Sequence, residues 1–303
     1  MKLSNGINRT LIGGVNKINS KVMVLGASGQ LGSLVINELK LLQIEVYAPE
    51  KINFNLLDVK QMELIVSKYA PKIIINCSGW TNVDLAETRR EEVFAVNAHG
   101  PSNLAKICAF HGIKLIHFSS DYVFSGKRSI PWTEDSPTNP INIYGESKAL
   151  SEELTLQNNP SGTLVIRTSW LYGFKKGFNI SIESLALGGA KNIKVAIDQI
   201  GQPTNAKELA KIICKLALSN AIGIVHCTNN GETSRFELAK QVYVYNNLDP
   251  DLIEPVASTA LNSSARRPEY SVLSHANFLR LGFDLMLDWR NSLNVFYLEK
   301  NGN

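Results

Sequence analysis

A tyrosine followed four residues later by a lysine occurs three times in this chain of 303 residues. The three pairs are Tyr47–Lys51, Tyr144–Lys148 and Tyr172–Lys176. Such a pair can serve the reduction of a ketone, in which hydride reaches the carbon while a proton must reach the oxygen. A free phenol, with a pKa of ~10, transfers protons poorly near neutral pH, and a neighbouring ammonium favours its phenolate by ~1.4 kcal/mol for each pKa unit. The pattern therefore indicates carbonyl reduction, provided that one pair has the right geometry.

The middle pair is the one expected on a helix, where positions i and i+4 share a face. The first pair encloses Pro49 and follows an apolar strand pattern, so a helix is not expected there. The third pair encloses Gly173 and ends just before Gly177, which favours a turn. The pair Tyr144–Lys148 opens the stretch "ESKALSEEL", residues 146–154, which is rich in helix formers. We therefore predict a helix that presents Tyr144 and Lys148 together, and we interpret the other two pairs as chance matches.

A third group should orient the carbonyl by hydrogen bonding, and Ser120 is the candidate donor. It ends the apolar run in "KLIHFSSDYVF", residues 114–124. In parallel sheets, ligands collect at the carboxyl ends of the strands, where this serine is expected. From the residues alone, Ser119 and Ser120 could equally be capping or loop hydroxyls.

Short apolar runs alternate with helical patterns from residue 21 onward. The predicted strands are 21–27, 44–49, 52–58, 72–78, 114–120, 163–170 and 223–229. The predicted helices are 30–42, 59–70, 90–112, the segment that carries Tyr144, 206–219 and 234–245. Alternation of elements of these lengths is typical of a parallel sheet covered by helices on both faces. We expect an α/β fold, a doubly wound parallel sheet of the Rossmann type with a smaller C-terminal α/β part.

The pattern becomes less regular after Trp170, which suggests a division of the chain there. We predict a dinucleotide-binding domain over 21–170 and a mainly substrate-binding domain over 171–303, with chain crossings between them left open. Residues 1–20 are rich in Asn and Gly and carry no long apolar segment. We expect them to form a poorly ordered extension rather than a signal peptide.

Three glycines lie between the first predicted strand and the first predicted helix, where a phosphate loop belongs. In Gly26-Ala-Ser-Gly29-Gln-Leu-Gly32 they would permit a tight turn and close approach of a pyrophosphate, with the anion held at the helix N-terminus. A plain glycine turn is the alternative. The second predicted strand ends in "VYAPEK", where Glu50 could bind a ribose and Lys51 a 2′-phosphate. The pattern indicates a dinucleotide and leaves NADH and NADPH both open.

Composition excludes several other classes of protein. The net charge of +4 is mild and no cluster of Lys and Arg is visible, unlike in a nucleic-acid-binding protein. No apolar run reaches the length of a membrane span. Four single cysteines in apolar surroundings predict buried thiols in a reducing cytoplasm, and the five scattered histidines suggest no zinc site. We expect a cytoplasmic protein that binds neither nucleic acid nor membrane.

Over about residues 21–295 the chain resembles the extended short-chain dehydrogenase/reductases and, more narrowly, the dTDP-4-dehydrorhamnose reductases. The stretches shared with many extended reductases and epimerases include "INCSGWTNVDLAE", "VNAHGPSNLA", "HFSSDYVFSG" and "NIYGESKALSEE". The stretches "RTSW", "DQIGQPT" and "RRPEYSVL" are much more specific to the rhamnose enzymes. Relatives usually carry "AAAYT" where this chain has "CSGWT", so Cys77 and Trp80 are expected to alter the cofactor fit without abolishing it.

The resemblance implies roles for individual residues. The implied catalytic residues are Tyr144 as proton donor, Lys148 as its activating and ribose-binding partner, and Ser120 as the carbonyl-orienting hydroxyl. The implied cofactor contacts are Gly26, Gly29, Gln30, Leu31, Gly32, Leu57, Asp58, Ser78, Gly79, Trp80, Tyr144 and Lys148. The implied substrate contacts are Ser120, Asp121, Trp170 and Arg267. Asp58 is also expected to cap the next helix, and Trp170, taken apart from the family, would be a core residue.

The reaction implied is reduction of dTDP-4-dehydro-β-L-rhamnose at C4 to dTDP-β-L-rhamnose with NADPH or NADH. It is the last step in making the activated rhamnose used for surface polysaccharides. The partner expected is therefore a small nucleotide sugar. Some relatives form dimers through a Mg²⁺ ion held by acidic residues, but matching ligands are not found in this sequence. No Mg²⁺ site is predicted, and a monomer and a homodimer both stay open.

Two alternatives stay open beside this reaction. One is a reductase or epimerase acting on another nucleotide 4-keto-6-deoxy sugar, although epimerisation needs a further acid/base pair for which no candidate stands out. The other is a non-catalytic dinucleotide-binding subunit, since the regulatory subunit of eukaryotic methionine adenosyltransferase resembles this chain in "SSDYVF" and "NLLD". The stretches "RTSW" and "DQIGQPT" favour the enzyme.

Overall fold

The fold is built on a parallel sheet with helices on both sides. A computed structural model gives the coordinates, and the structure describes residues 21–190 and 192–302. The strands are β1 (Val22–Leu25), β2 (Val46–Tyr47), β3 (Ile73–Asn76), β4 (Lys114–Ser120), β5 (Thr163–Thr168), β6 (Leu171–Tyr172), β7 (Ile193–Ala196), β8 (Ile200–Gly201), β9 (Thr204–Asn205), β10 (Gly223–His226), β11 (Thr233–Ser234) and β12 (Ile253–Val256). The helices are α1 (Gln30–Leu41), α2 (Val59–Tyr69), α3 (Val83–Ala86), α4 (Arg90–Phe94), α5 (Gly100–His111), α6 (Ile143–Asn158), α7 (Phe178–Leu187), α8 (Ala206–Leu218), α9 (Arg235–Tyr245), α10 (Ala276–Arg280) and α11 (Trp289–Asn301).

Six strands form the main sheet in the order β2-β1-β3-β4-β5-β10, and each is parallel to its neighbours. Successive side chains of a strand point to opposite faces, so Val22 and Val24 of β1 face one core while Met23 and Leu25 face the other. Helices α1 and α8 cover the first face, and α2 and α5 cover the second. Burial on both faces explains why these strands are continuous apolar runs. The predicted fold class is confirmed.

The C-terminal part contains a smaller core made by α7, α9 and α11 with β7 and β12. Its short strands pair as β6 with β9 and β7 with β12, both parallel, and as β8 with β11, antiparallel. The chain crosses between the two parts. Both α8 and β10 follow residue 170, yet β10 pairs with β5 and α8 packs beside α1. The division of function at residue 170 stays a prediction.

The strand predicted over 52–58 is wrong. Phe54 and Leu56 are buried two residues apart, which imitates the alternation of a strand. The segment instead forms turns, in which the Leu57 N–H donates to Asn55 Oδ1 at 3.0 Å. Local side chains thus supply the hydrogen bonds that a neighbouring strand would otherwise provide.

The helix predicted over 90–112 is confirmed as a helical segment, but it is not uniform. Helix α4 passes into a π-helical turn, Ala95–His99, before α5 continues to a left-handed Gly112 with φ of 63°. Pro101 lies in the first turn of α5, where its missing N–H costs no hydrogen bond. The π-turn buries Asn97, whose side chain bonds to Trp80 in the loop after β3 and to Ser147 of α6.

Several other expectations concern the chain as a whole. Cys108, Cys214 and Cys227 are buried free thiols, and Cys77 is partly buried. Among the residues that the structure describes, none of the helices has the length and apolar character needed to cross a membrane. The expected N-terminal extension, 1–20, lies outside the described residues.

Candidate active site

The start of α6 fixes where Tyr144 and Lys148 lie. Asn142 caps the helix, since its Oδ1 accepts a hydrogen bond from the Gly145 N–H at 2.7 Å. A Cβ atom at Gly145 would lie only 2.1 Å from the carbonyl oxygen of Tyr122, so glycine allows α6 to touch the loop after β4. The Tyr122 and Tyr144 rings accordingly meet edge to face, with centroids 6.0 Å apart. The predicted helix is confirmed, and it begins against the carboxyl end of β4.

The structure brings Ser120, Tyr144 and Lys148 together at that end of the sheet. Lys148 Nζ donates to the Phe118 carbonyl at 3.1 Å and lies 6.0 Å from the centroid of the Tyr144 ring. Burial raises the pKa of Tyr144, as does the nearby Asp121, while a hydrogen bond with Ser120 opposes the shift. Burial lowers the pKa of Lys148 to about 8. At neutral pH the site therefore holds a protonated phenol beside a lysine that is charged in most molecules.

Asp121 is a buried acid directly behind Ser120. The Ser120 hydroxyl donates to its Oδ1 at 2.8 Å, while Oδ2 has no hydrogen-bond partner in the described part of the chain. Burial raises the pKa of Asp121 to about 6, and hydrogen bonding with Ser271 and Ser120 opposes the shift. The buried hydroxyls of Ser119 and Thr168, at the ends of β4 and β5, also have no partner among the described residues. The site thus keeps polar groups for a ligand to satisfy.

The loop after β3 reaches the same place. A Cβ atom at Gly79 would lie 3.4 Å from Lys148 Nζ, so this loop runs directly beside the lysine. Asn97 holds it there by accepting from the Trp80 N–H at 2.7 Å and donating to the Trp80 carbonyl at 3.2 Å. The same amide donates to Ser147 Oγ of α6 at 3.0 Å. Asn97 therefore ties the loop at Ser78, Gly79 and Trp80 to the helix that carries the tyrosine.

The glycine loop has the shape that a pyrophosphate requires. Gly26 has φ of +73°, and a Cβ atom there would lie 2.7 Å from the Cys77 carbonyl carbon. A Cβ atom at Gly32 would lie 2.3 Å from the Gly26 carbonyl oxygen, so α1 packs as close as a glycine allows. Gly29 caps α1 without any side-chain acceptor. The first-turn N–H groups of α1, including that of Leu31, are therefore left to an anion, as expected for a dinucleotide site.

Three further residues are predicted to contact the cofactor: Gln30, Leu57 and Asp58. The Gln30 side chain turns towards the C-terminal part, where its Oε1 accepts from the N–H groups of Lys175 and Lys176 at 3.1 and 2.8 Å. Asp58 caps α2 as predicted, accepting from the Gln61 N–H at 3.0 Å. Leu57 is half exposed in the turn before that helix. Their contacts with a cofactor stay predictions.

A cavity of about 430 Å³ has Tyr122, Trp170, Arg235 and Arg267 in its wall, and Tyr122 is the residue that packs edge to face on Tyr144. Trp170 has φ of +40°, a left-handed backbone that is rare for a bulky residue. A Cβ atom at Gly201 would lie 2.5 Å from its indole, so the ring occupies the space that glycine leaves. This strained tryptophan faces a cavity, which is the usual place for strain in a functional site.

Sequence reasoning missed three residues of the site. Asn97 lies inside a long helical pattern that gives no local signal. Asp84 becomes visible only through its ion pair with Arg267, at 2.6 Å, which joins α3 to a distant loop. For Arg235 the sequence did contain a signal, because this residue directly follows the cap Ser234 of α9, where the helix dipole disfavours a cation.

No group of three or more potential metal-binding side chains occurs among the residues that the structure describes.

A doubly wound sheet with a glycine turn before α1 and a Ser–Tyr–Lys set at its carboxyl edge defines an extended short-chain dehydrogenase/reductase, an oxidoreductase. The family model described as RmlD substrate binding domain matches residues 20–301. The chain belongs to this family.

Individual relatives agree with this assignment. The chain is 35% identical over 277 residues to a dTDP-4-dehydrorhamnose reductase of Streptomyces griseus, covering 89% of this chain and 91% of that protein. It is 33% identical over 272 residues to a dTDP-4-keto-6-deoxy-D-glucose reductase of Streptomyces niveus, covering 89% and 94%. A crystal structure of dTDP-4-dehydrorhamnose reductase from Bacillus anthracis in complex with NADP is similar, with a TM-score of 0.87, 35% identity and coverage of 93% and 100%.

Proposed function

We propose that this chain reduces the C4 keto group of dTDP-4-dehydro-β-L-rhamnose to give dTDP-β-L-rhamnose, with NADPH or NADH as the reductant. The convergence of Ser120, Tyr144 and Lys148 beside a cavity large enough for part of a nucleotide sugar supports this activity. Relatives named as reductases of dTDP-linked 4-keto sugars, and a similar structure in complex with NADP, support the substrate class and the cofactor.

Tyr144 is the proton donor in this proposal. Its pKa is raised by burial, so the phenol carries its proton throughout the neutral range. When bound, the reduced nicotinamide supplies the hydride to the carbonyl carbon. The Lys148 ammonium lies 6.0 Å from the phenol ring and favours the phenolate that remains after Tyr144 gives its proton to the sugar oxygen.

Ser120 orients the carbonyl, which requires a change of hydrogen bonding. Its hydroxyl has one proton, and that proton is directed at Asp121 Oδ1, at 2.8 Å. When a substrate carbonyl enters, the hydroxyl turns to donate to it, and the Asp121 carboxylate becomes free to accept from a sugar hydroxyl. Ser120 and Asp121 therefore act together, which agrees with their adjacent positions at the end of β4.

The dinucleotide is expected along the glycine loop and the loop after β3. The N–H groups at the start of α1 suit its pyrophosphate, and Gly79 leaves space beside Lys148 for its ribose and nicotinamide. Glu50 and Lys51 are both exposed near the predicted position of the adenosine ribose. They give no reason to prefer one dinucleotide, so both are tested.

The experiment is turnover of dTDP-4-dehydrorhamnose with NADPH and then with NADH, followed by loss of the near-ultraviolet absorbance of the reduced nicotinamide. Tyr144→Phe should lower kcat by about 10²- to 10⁴-fold, because the general acid is lost. Tyr47→Phe is the matched control, since it belongs to a chance Tyr–Lys pair and packs on Tyr69. Binding of NADPH without any oxidation by the native protein would contradict the proposal.

A second candidate has a specific observation in its favour. The Streptomyces niveus relative is named a dTDP-4-keto-6-deoxy-D-glucose reductase, and the same Ser–Tyr–Lys chemistry would serve that ketone. Offering both sugars to the native enzyme and comparing kcat/KM separates the two. A preference of more than tenfold for the second sugar would replace the first proposal.

A further inference from the structure

The cavity beside Tyr122 carries an unusual balance of charge. Most of its wall is apolar, formed by residues of α7, β7 and the loop near Leu261. Three cations, Lys194, Arg235 and Arg267, also line it, and of the residues that the structure describes no Asp or Glu does. An apolar wall that also carries cations suits a ligand that joins a ring to an anionic group.

Arg267 is already engaged by the protein. Its guanidinium donates to Asp84 Oδ1 at 3.0 Å and to Oδ2 at 2.6 Å, and also to the Ala265 carbonyl at 2.8 Å. These hydrogen bonds hold the pKa of Asp84 below its ordinary value, as expected for a fully formed ion pair. Arg267 therefore joins its loop to α3, and most of its charge is balanced there.

Arg235 is fixed in position, with the buried Asp121 near it but not in ion-pair contact. Its guanidinium stacks 3.5 Å from the centroid of the Trp170 ring and 4.9 Å from that of Phe178. Within the described part of the chain it forms no ion pair within 4.0 Å. Stacking occupies the face of a guanidinium, and the Tyr122 hydroxyl lies within hydrogen-bonding reach of its edge, which leaves the other N–H groups to donate to a ligand. Its place at the first residue of α9 is unfavourable for that helix, so a gain elsewhere is expected.

We propose that Arg235, and not Arg267, is the residue that binds the diphosphate of the substrate. This inference rests on the proposed function, which supplies the nucleotide diphosphate. Trp170 and Phe178 hold the guanidinium face, so that its remaining N–H groups meet the phosphate oxygens beside Tyr122. Lys194 is itself exposed on β7, and its ammonium is a point charge on a long stem, so it contributes a weaker and less directed attraction.

The test measures binding without turnover. Native protein saturated with NADP⁺, which fills the glycine loop, is titrated calorimetrically with dTDP and separately with thymidine. Arg235→Gln should weaken dTDP binding by about 10- to 100-fold and leave thymidine binding unchanged, because a charge-assisted hydrogen bond to phosphate is lost. In turnover, the same variant should raise KM by a similar factor with little change in kcat.

Two variants provide comparisons. Arg290→Gln also removes an arginine stacked on a tryptophan, Trp289 at 4.5 Å, but lies outside the cavity, and should leave dTDP binding as in the native protein. Arg235→Lys keeps the positive charge but loses the planar guanidinium that stacks on Trp170, so it should recover only part of the affinity for dTDP. Retained NADP⁺ binding in each variant establishes that it is folded.

Three results would overturn the inference. They are dTDP binding unchanged in Arg235→Gln, an equal loss of thymidine binding, and a larger loss of dTDP binding in Lys194→Gln than in Arg235→Gln. If dTDP binds through Arg235 while neither 4-keto sugar is reduced, the proposed function fails and the assignment of Arg235 stands. The two failures are therefore distinguishable.

Discussion

At the scale of single residues, burial shifts the pKa values of two groups in the site in opposite directions. Burial raises the pKa of Tyr144 and lowers that of Lys148 to about 8. The tyrosine therefore stays protonated, while the lysine titrates within the range in which enzymes are assayed. A third buried group, Asp121, has its pKa raised by burial to about 6. Each of these shifts has a measurable consequence.

The rate of reduction should fall as Lys148 loses its charge. With saturating substrates, kcat should be level below about pH 8 and decline above it, because the neutral amine no longer favours the developing phenolate. Lys148→Met should lower kcat by about 100-fold or more and remove this decline. Lys114→Met is the matched control, since the pKa of Lys114 is also lowered to about 8 by burial, at the opposite end of β4. A native profile that stays level well above about pH 8 would contradict the role of Lys148.

Asp121 should reduce the stability of the fold at neutral pH. An acid whose pKa is raised in the folded state carries a cost that is absent below its ordinary pKa of 3.8 and complete above about 6. Asp121→Asn should therefore raise the free energy of unfolding by about 1–3 kcal/mol at neutral pH, with a gain that shrinks as pH falls towards 4. Urea unfolding at several pH values measures this. Asp84→Asn should have the opposite sign, since Arg267 lowers the pKa of Asp84, and a stabilised Asp84→Asn would contradict the reasoning.

At the scale of elements, the start of α6 determines where the tyrosine lies. The Asn142 cap, the missing Cβ of Gly145 and the bond from Asn97 to Ser147 place this helix against two loops that come from other strands. The position of Tyr144 therefore depends on contacts that its neighbours in the first turns of α6 make.

Gly145→Ala should separate the helix from the loop after β4. The added Cβ would meet the Tyr122 carbonyl oxygen at 2.1 Å, which is backbone and cannot rotate away. We expect kcat to fall by about 10- to 100-fold and stability by about 1–3 kcal/mol. Gly112→Ala is the control, because its Cβ would meet nothing within 4 Å, although φ of +63° should cost about 1 kcal/mol. Equal kcat values for the two variants would contradict this account.

The sequence predicts elements well where one periodicity dominates and less well where contacts are local. The helix at Tyr144 could be chosen among three pairs because proline and glycine exclude the other two. At 52–58 the spacing of Phe54 and Leu56 imitates a strand, but side chains such as Asn55 supply the hydrogen bonds that a strand partner would provide. The π-turn that buries Asn97 has no local pattern, and the contact of Asn97 with Ser147 joins residues that are far apart in the chain.

At the scale of the whole molecule, a buried ion pair joins the sheet to the helix that carries the site. Arg167 of β5 donates twice to Glu152 of α6, at 2.8 and 2.7 Å, with both side chains almost fully buried. Arg167 also donates to the Glu134 carbonyl at 3.2 Å. Composition and spacing cannot reveal such a pair, because its members are charged residues that usually lie at the surface.

Removing one member of this pair should be costly. Glu152→Gln should lower the free energy of unfolding by about 3–5 kcal/mol, because Arg167 would remain buried with no counter-charge. The double variant Glu152→Leu with Arg167→Met should lose less than either single variant. Glu299→Gln, which breaks the exposed pair with Lys207, should change stability by no more than about 1 kcal/mol. Similar losses for the buried and the exposed variant would contradict the argument.

Strand β10 lies far along the chain from its partner β5, and this separation has a consequence for synthesis of the protein. Until β10 has left the ribosome, a nascent chain that already contains β1 to β5 exposes the unpaired edge of β5. The α1 surface that α8 later covers, at Val35 and Leu39, is also open at that stage. Nascent chains with open strand edges and apolar faces are the usual clients of chaperones, so we expect this half-made sheet to need protection during translation.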